Sequence, residues 1–250
     1  AWLIRTVGPA RVVELGSYRG DSLFCFQQAA QGLTSVKDIC GIDCWSGDHH
    51  TGPYGEEVYS QFMTEFERRA DPRLRALRTT FADAAQQFED GAIDLLHIDG
   101  AHDYDSVRAD YETWLPKMAT DGIILFHDTM VKTDDFGVHR LWDEISAAAP
   151  GRCINLGHSN GLGVLCLGTA ERHAIHRLCA SPEHEAKTTE LALKLAGDRI
   201  VTLSRYEYGF VTRTGGKVPD SHVFARGADL ESIRTLWSIE VDLREIPQPA

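Results

Sequence analysis

Short apolar runs alternate with amphipathic segments through the first two thirds of the chain. Arg11 to Leu15, Asp38 to Ile42, Leu74 to Thr79, Ile93 to Ile98 and Gly122 to Phe126 are brief and rich in branched residues. Such runs read as strands covered on both faces, as in a parallel sheet. Helical spacing fills the gaps. Ser22 to Gln31 is one such stretch, and Glu56 to Ala70 is a second, with Val58, Phe62 and Phe66 on one face. Asp105 to Leu115 is a third, with Val107, Tyr111, Trp114 and Leu115 on one side. Pro72 and Pro116 stop the last two. Phe136 to Ala149 is a fourth helix, with Phe136, Leu141, Trp142 and Ile145 as its core face. Cys153 to Leu156 and Val164 to Leu167 are short strands, joined as a hairpin by His158 to Gly163. The pattern predicts an α/β fold: a Rossmann-like, mostly parallel sheet with an antiparallel hairpin at one edge and helices on both faces.

The pattern fades after about Thr169. Residues 1–169 are therefore expected to form one ligand-binding domain. Residues 170–250 read as a helical and irregular extension with no assigned role. Within it, Glu183 to Ala196 looks helical, and Leu230 to Ile239 has the one clear apolar period. The chain has no internal repeats.

Composition narrows the function. The chain has 250 residues, 43% of them hydrophobic and 25% charged, as a soluble globular protein does. A formal net charge of −12 argues against a nucleic-acid partner, which needs clustered Lys and Arg. No apolar run approaches the roughly 18 residues of a membrane span, and no signal peptide opens the chain. The first residue is Ala1, which fits a domain cut from a longer protein. The six cysteines include no CxxC pair and are expected to be reduced thiols in a cytoplasmic protein.

In open α/β sheets the chemistry lies beyond the carboxyl ends of the strands. The first strand runs into Glu14-Leu15-Gly16-Ser17-Tyr18-Arg19-Gly20, an E-x-G-x-x-x-G turn. Gly16 suits a tight turn near a ligand and Gly20 close packing at the helix start; a plain βα turn would look the same. Asp43 ends the second strand, where a carboxylate can accept from both hydroxyls of a ribose or simply be solvated. Cys44 to Gly55 is polar, rich in glycine and aromatics, and reads as an active-site flap. Its His49 and His50 are expected to face solvent, metal ligation being the alternative. Asp83 stands either beside a base ring or at a helix N-cap. The two longest apolar strands end in Asp99-Gly100-Ala101-His102 and in His127-Asp128. His97, inside its strand, reads as a satisfied core histidine.

These motifs, in this order, resemble class I S-adenosylmethionine-dependent methyltransferases. More narrowly, the chain is similar to the metal-dependent sugar O-methyltransferases of the macrolide-sugar type and to methyltransferase domains found beside bacterial glycosyltransferases. VVELGSYRGDS (Val12 to Ser22), GIDCWSGD (Gly41 to Asp48), IDLLHIDGAHDY (Ile93 to Tyr104), ILFHDTM (Ile124 to Met130) and DFGVHRLWDEI (Asp135 to Ile145) carry the resemblance. It implies that Glu14, Gly16, Ser17 and Gly20 shape the S-adenosylmethionine pocket. Asp43 would hold the ribose, Asp83 would lie near the adenine, and Asp99 would border the cofactor. It further implies a divalent ion, Mg²⁺ or Mn²⁺, on Asp99, His127 and Asp128. The family places two acids where this chain has His127-Asp128, a departure that bears on the metal's identity. The family's catalytic histidine follows the first metal acid by three residues, which is His102 here.

The chemistry agrees independently. An alcohol attacks a sulfonium carbon only once its proton is removed or its oxygen meets a cation, and a histidine near neutral pKa can take the proton. The competing role for His102 is an N-cap or loop contact. The expected function is methyl transfer to a hydroxyl of a sugar or glycosylated small molecule, within a glycan or free. A glycosyltransferase domain or a second copy of the chain is the implied protein partner. The alternatives are a non-catalytic domain of the same fold that docks a glycosyltransferase, and an NAD-dependent oxidoreductase, which the missing second glycine of the dinucleotide turn disfavours.

Overall fold

Among the described residues nine strands, numbered in chain order, carry the fold of the computed structural model: β1 (Arg11–Leu15), β2 (Asp38–Asp43), β3 (Gly47–Asp48), β4 (Gly52–Pro53), β5 (Leu74–Arg78), β6 (Ile93–Ile98), β7 (Met118–His127), β8 (Cys153–Leu156) and β9 (Leu162–Cys166). The structure describes residues 1–133, 135–157, 159–168 and 174–180. All of these lie in one unit, Ala1–Glu190. Seven strands form one sheet in the order β5-β2-β1-β6-β7-β9-β8. The first five are parallel, and β9 and β8 add an antiparallel edge. The predicted architecture is therefore the observed one. The chain winds outward from β1 to β5, then restarts at β6 on the other side of β1. That reversal is the switch point at which open α/β sheets bind ligands.

Side chains alternate across a strand, so each strand divides its residues between two faces. Val13, Leu15, Cys40, Ile42, Leu96, Ile98, Ile124 and Phe126 share one buried cluster. The cluster is completed by α4 (Phe81–Ala85), α5 (Tyr104–Trp114) and α6 (Val138–Ala148), through residues such as Ala84, Trp114 and Trp142. Each large side chain buried there contributes about 1.5–3 kcal/mol. The same alternation sends Glu14, Asp43, His97 and His127 to the opposite face. There α2 (Asp21–Ala29) lays the Phe26 ring edge-on to His97 at 5.6 Å. Stacking of Phe24 on Phe62, with centroids 5.4 Å apart, joins α2 to α3 (Glu56–Arg69).

Several boundaries differ from the sequence expectation. The fourth helix begins at Val138, not at Phe136. Gly137 precedes it, and a Cβ there would lie 2.2 Å from the Tyr104 nitrogen, so α6 starts where α5 presses against the chain. Strand β7 begins four residues early, at Met118, with a register shift opposite Ile93 to Leu95. The helix α1 (Trp2–Val7) has six residues, too few to show a period. A seven-residue helix, α7 (Ala174–Ala180), packs on β8, β9 and α1. The expected elements at Glu183 to Ala196 and Leu230 to Ile239 lie outside the described residues. All six cysteines are free thiols. Among the described residues no helix is long and apolar enough to cross a membrane.

Candidate active site

The turn after β1 is built around a buried carboxylate. Glu14 is fully buried and accepts from Ser17 Oγ (3.0 Å) and Ser22 Oγ, with His97 Nδ1 at 3.1 Å. Burying a carboxylate is costly unless it is hydrogen-bonded, and here the turn, α2 and β6 all supply partners. Ser17 is itself buried and committed to Glu14. These two residues shape the turn from beneath. His97 is the satisfied core histidine expected from its strand position. Gly16 sits at φ 87°, and a Cβ would fall 1.9 Å from the Asp99 carbonyl oxygen. Its close approach is thus to the end of β6, and it brings the β1 turn against Asp99. Gly20 caps α2 at φ 90°, where a Cβ would fall 2.2 Å from the Phe24 ring, in keeping with the packing role expected of it.

Asp43 orders two loops at once. Its Oδ2 accepts from the Tyr18 amide (2.8 Å) and its Oδ1 from the Trp45 amide (2.7 Å). Trp45 Nε1 donates back to the Tyr18 carbonyl at 2.7 Å. Tyr18 (φ 45°) and Trp45 (φ 52°) both hold left-handed backbones, which this reciprocal bonding sustains. Each carboxylate oxygen keeps a further lone pair for a ligand. Tyr54 of the flap lies against Tyr18, with centroids 5.0 Å apart. Asp83 is exposed on α4. It is not the N-cap: Thr80 holds that position and accepts from the Asp83 amide, while the Thr80 hydroxyl donates to Asp83 Oδ2 at 2.8 Å.

The ends of β6 and β7 bring four ionisable residues together. His102 Nε2 stands 3.2 Å from Asp128 Oδ2 and 3.6 Å from Asp99 Oδ1. His127 Nδ1 stands 3.1 Å from Asp99 Oδ1 and 2.9 Å from Asp128 Oδ1. Asp128 adopts φ 61°, a left-handed conformation that turns its carboxylate back into the group. His102 is not a helix cap. Asp103 caps α5, accepting from the Ser106 amide at 2.9 Å. The His102 carbonyl accepts from the Gly137 amide at 2.7 Å, and its ring lies 4.9 Å from that of Phe136.

The charges reinforce one another. Burial opposes a charged His102, but the Asp128 and Asp99 carboxylates close to Nε2 prevail and push its pKa up to about 9. The same balance raises His127 to about 10. Burial would raise Asp99 and Asp128, yet the two histidines hold both carboxyls well below the usual carboxylate range. Without a cation, two imidazolium groups therefore stand against two carboxylates.

The residues fit a divalent ion. Asp99, His102 and His127 bring donor atoms within 4.8 Å of one another, with Asp128 beside them. His127 Nδ1, Asp128 Oδ1 and both His102 nitrogens are buried yet lack well-formed hydrogen bonds. A mixed carboxylate and imidazole set suits Mn²⁺ or a neighbouring transition ion as well as Mg²⁺.

Two site residues were misplaced by the sequence reading. His50, expected to face solvent, has a side chain only 6% exposed, and its ring lies 5.8 Å from that of His102. Phe136, expected in a helix core, packs on both rings. The glycine after Phe136 was the available signal for the latter. His49 does face outward, its side chain 54% exposed.

Residues 13–129 match the methyltransferase domain family. An uncharacterised Sinorhizobium fredii protein, y4gI, is 41% identical over 167 residues, which are 67% of this chain and 18% of that one; the chain thus spans under a fifth of its relative. The S-adenosylhomocysteine-bound Podospora anserina methyltransferase PaMTH1 superposes with a TM-score of 0.51 at 18% identity, over 68% of this chain and 76% of that one. A Staphylococcus aureus structure described as a caffeoyl-CoA O-methyltransferase gives 0.52 at 15% identity, over 67% and 80%. Residues 13–129 thus carry the match to a methyltransferase domain, on a fold shared with solved methyltransferases.

Proposed function

We propose that this domain transfers the methyl group of S-adenosylmethionine to a hydroxyl of a sugar or glycosylated small molecule, with a divalent ion, Mg²⁺ or Mn²⁺, assisting. The observation that carries the reading is the position of His102, between Asp99 and Asp128 where the β1 turn meets the end of β6. In this reading Glu14, Gly16, Ser17 and Gly20 shape the cofactor pocket. Asp43 accepts from the ribose, Asp83 lies near the adenine, and Asp99 borders the cofactor. Asp99, His127 and Asp128 hold the ion, which when bound supplies Lewis acidity to the acceptor oxygen and offsets carboxylate charge.

The histidine's charge links the parts. Protonated His102 cannot accept the acceptor's proton, and Asp99 and Asp128 are what keep it protonated. Neutralising those carboxylates frees Nε2 to take the proton while the hydroxyl oxygen attacks the sulfonium methyl. Phe136 and the flap around His50 cover the imidazole and limit water there. In this reading a glycosyltransferase domain or a second copy of the chain is the protein partner, as the sequence resemblance implies.

The test is transfer of a labelled methyl group to a panel of nucleotide sugars and bacterial glycans, with product mass measured. The expected product carries one O-methyl group, forms with Mg²⁺ or Mn²⁺ and is lost on chelation. Undiminished turnover after exhaustive chelation would remove the ion from the reading. Binding of NAD in preference to S-adenosylhomocysteine would remove the reading itself.

A further inference from the structure

We infer that Asp48, His50 and His102 form a second divalent-cation site, selective for a nitrogen-preferring ion such as Zn²⁺ or Co²⁺, which latches the flap over the active site. The three side chains bring donor atoms within 4.8 Å of one another. Donors on a tetrahedral ion at Zn–N distances of about 2.0–2.1 Å stand roughly 3.4 Å apart, so a small inward movement of the flap closes the set. The flap is built for this. Strands β3 and β4 pair as a hairpin in which Gly47, at φ 78°, lies so near the Gly52 carbonyl that a Cβ would sit 2.0 Å from it. That turn presents Asp48 and His50 together.

Asp48 is half committed. Its Oδ1 accepts from the His50 amide (2.9 Å), the Thr51 amide (2.8 Å) and the Thr51 hydroxyl (2.8 Å). These bonds fix the carboxylate and leave Oδ2 with no hydrogen bond among the described residues. His50 is the independent observation. Its side chain is 94% buried, and both ring nitrogens are buried without a hydrogen bond. Asp135 Oδ2 approaches Nε2 at 3.6 Å, an ion-pair distance and not a bonded one. A buried polar group left unpaired costs about 1–3 kcal/mol, so the closed flap asks for a ligand at this ring. The ring lies tilted against those of His49 and Phe136, with centroids 3.9 and 4.7 Å away, and meets His102 edge-on. Two imidazoles and one carboxylate favour zinc-like ions over Mg²⁺, whereas the strand ends offer two carboxylates.

His102 belongs to both groups. An ion on the flap set therefore engages the imidazole that methyl transfer needs, so zinc should inhibit where Mg²⁺ or Mn²⁺ supports turnover. The binding does not depend on the methyltransferase reading; the inhibition does.

The test is equilibrium dialysis of the full chain against Zn²⁺ in saturating Mg²⁺, without cofactor or acceptor, together with the visible absorption of bound Co²⁺. One Zn²⁺ equivalent is expected, with a Co²⁺ spectrum of low coordination number. His50→Ala should weaken it by at least the 10–100-fold typical of losing even an outer-shell partner. Asp48→Asn keeps the Oδ1 acceptor and the hairpin, and should weaken it similarly. Zn²⁺ should also slow amide exchange across residues 47–55 in the native chain but not in His50→Ala. Zinc bound with native affinity by His50→Ala, or displaced stoichiometrically by Mg²⁺, would overturn the site. Native affinity in Asp48→Asn alone would overturn the assignment of Asp48. If zinc binds but no acceptor is ever methylated, the proposed function fails and the site stands.

Discussion

His102 Nε2 lies 3.2 Å from Asp128 Oδ2, a contact between residues 26 positions apart that closes the site across β6 and β7. It exists because Asp128 turns back at φ 61° and because Gly137 fixes the His102 carbonyl from the far side. Its consequence is electrostatic. The carboxylate that positions the imidazole also keeps it charged.

The first prediction concerns protons and metal. With His102 raised to about 9 and His127 to about 10, both carry protons at neutral pH without a cation. Ligating imidazole must be neutral, so binding of Mn²⁺ near pH 7.5 should release about one to two protons, and affinity should rise with pH. Calorimetry in buffers of differing ionisation enthalpy measures the release. Binding with no proton release would show that the ion avoids both histidines.

The second prediction concerns stability without metal. Both histidines have folded pKa values above the unfolded value of about 6.5, so the stability they contribute is complete below that pH and is lost as pH rises through about 9–10. Asp99 and Asp128 are depressed, so their contribution is present above about 4 and is lost in acid. The unfolding midpoint in urea should therefore plateau between about pH 4 and 7 and fall on both sides. In His102→Ala the alkaline fall should be shallower. An unchanged alkaline limb in that variant would assign the titration elsewhere.

How much of this was legible follows from which residues signal locally. The strand ends were visible because a parallel sheet writes each strand as an apolar run, and Asp99, His127 and Asp128 break those runs abruptly. The pairing of His102 with Asp128 was not, because it depends on a left-handed aspartate, and sequence marks that conformation reliably only at glycine. His50 looked like a solvent histidine because its flap is polar; its burial comes from Phe136, nearly ninety residues away. Asp83 looked equally suited to two roles because one turn of helix separates an N-cap from the residue that accepts the capping hydroxyl's proton.

The third prediction concerns Asp43, whose carboxylate has a structural role and, in the proposed function, a ligand role as well. In Asp43→Ala the amides of Tyr18 and Trp45 lose their acceptors, so a fall of about 1–3 kcal/mol in unfolding free energy is expected. Loss of the ribose contacts adds a separate 2–3 kcal/mol to the cost of binding S-adenosylhomocysteine, since charged hydrogen bonds are each worth about 1.5–3 kcal/mol. Asp43→Asn separates the two, keeping one oxygen for an amide while losing the charge. Calorimetric affinity equal to the native value in both variants would rule out the ribose contact.

The last prediction concerns Gly16, which holds two halves of the site at a fixed spacing. Its φ of 87° is strained for any other residue, and a Cβ would meet the Asp99 carbonyl oxygen at 1.9 Å. Backbone cannot rotate away as a side chain can, so Gly16→Ala must push β6 and the β1 turn apart. Left-handed strain alone costs about 1–3 kcal/mol, and the collision adds to it. Asp99 carries its carboxylate on the displaced residue and faces both His102 and His127. The variant should therefore lose Mn²⁺ affinity together with stability, even though Gly16 donates nothing to the ion. Unfolding in urea measures the first effect and calorimetry on the surviving folded protein the second. Native Mn²⁺ affinity in a destabilised Gly16→Ala would mean that Asp99 is positioned by β6 alone.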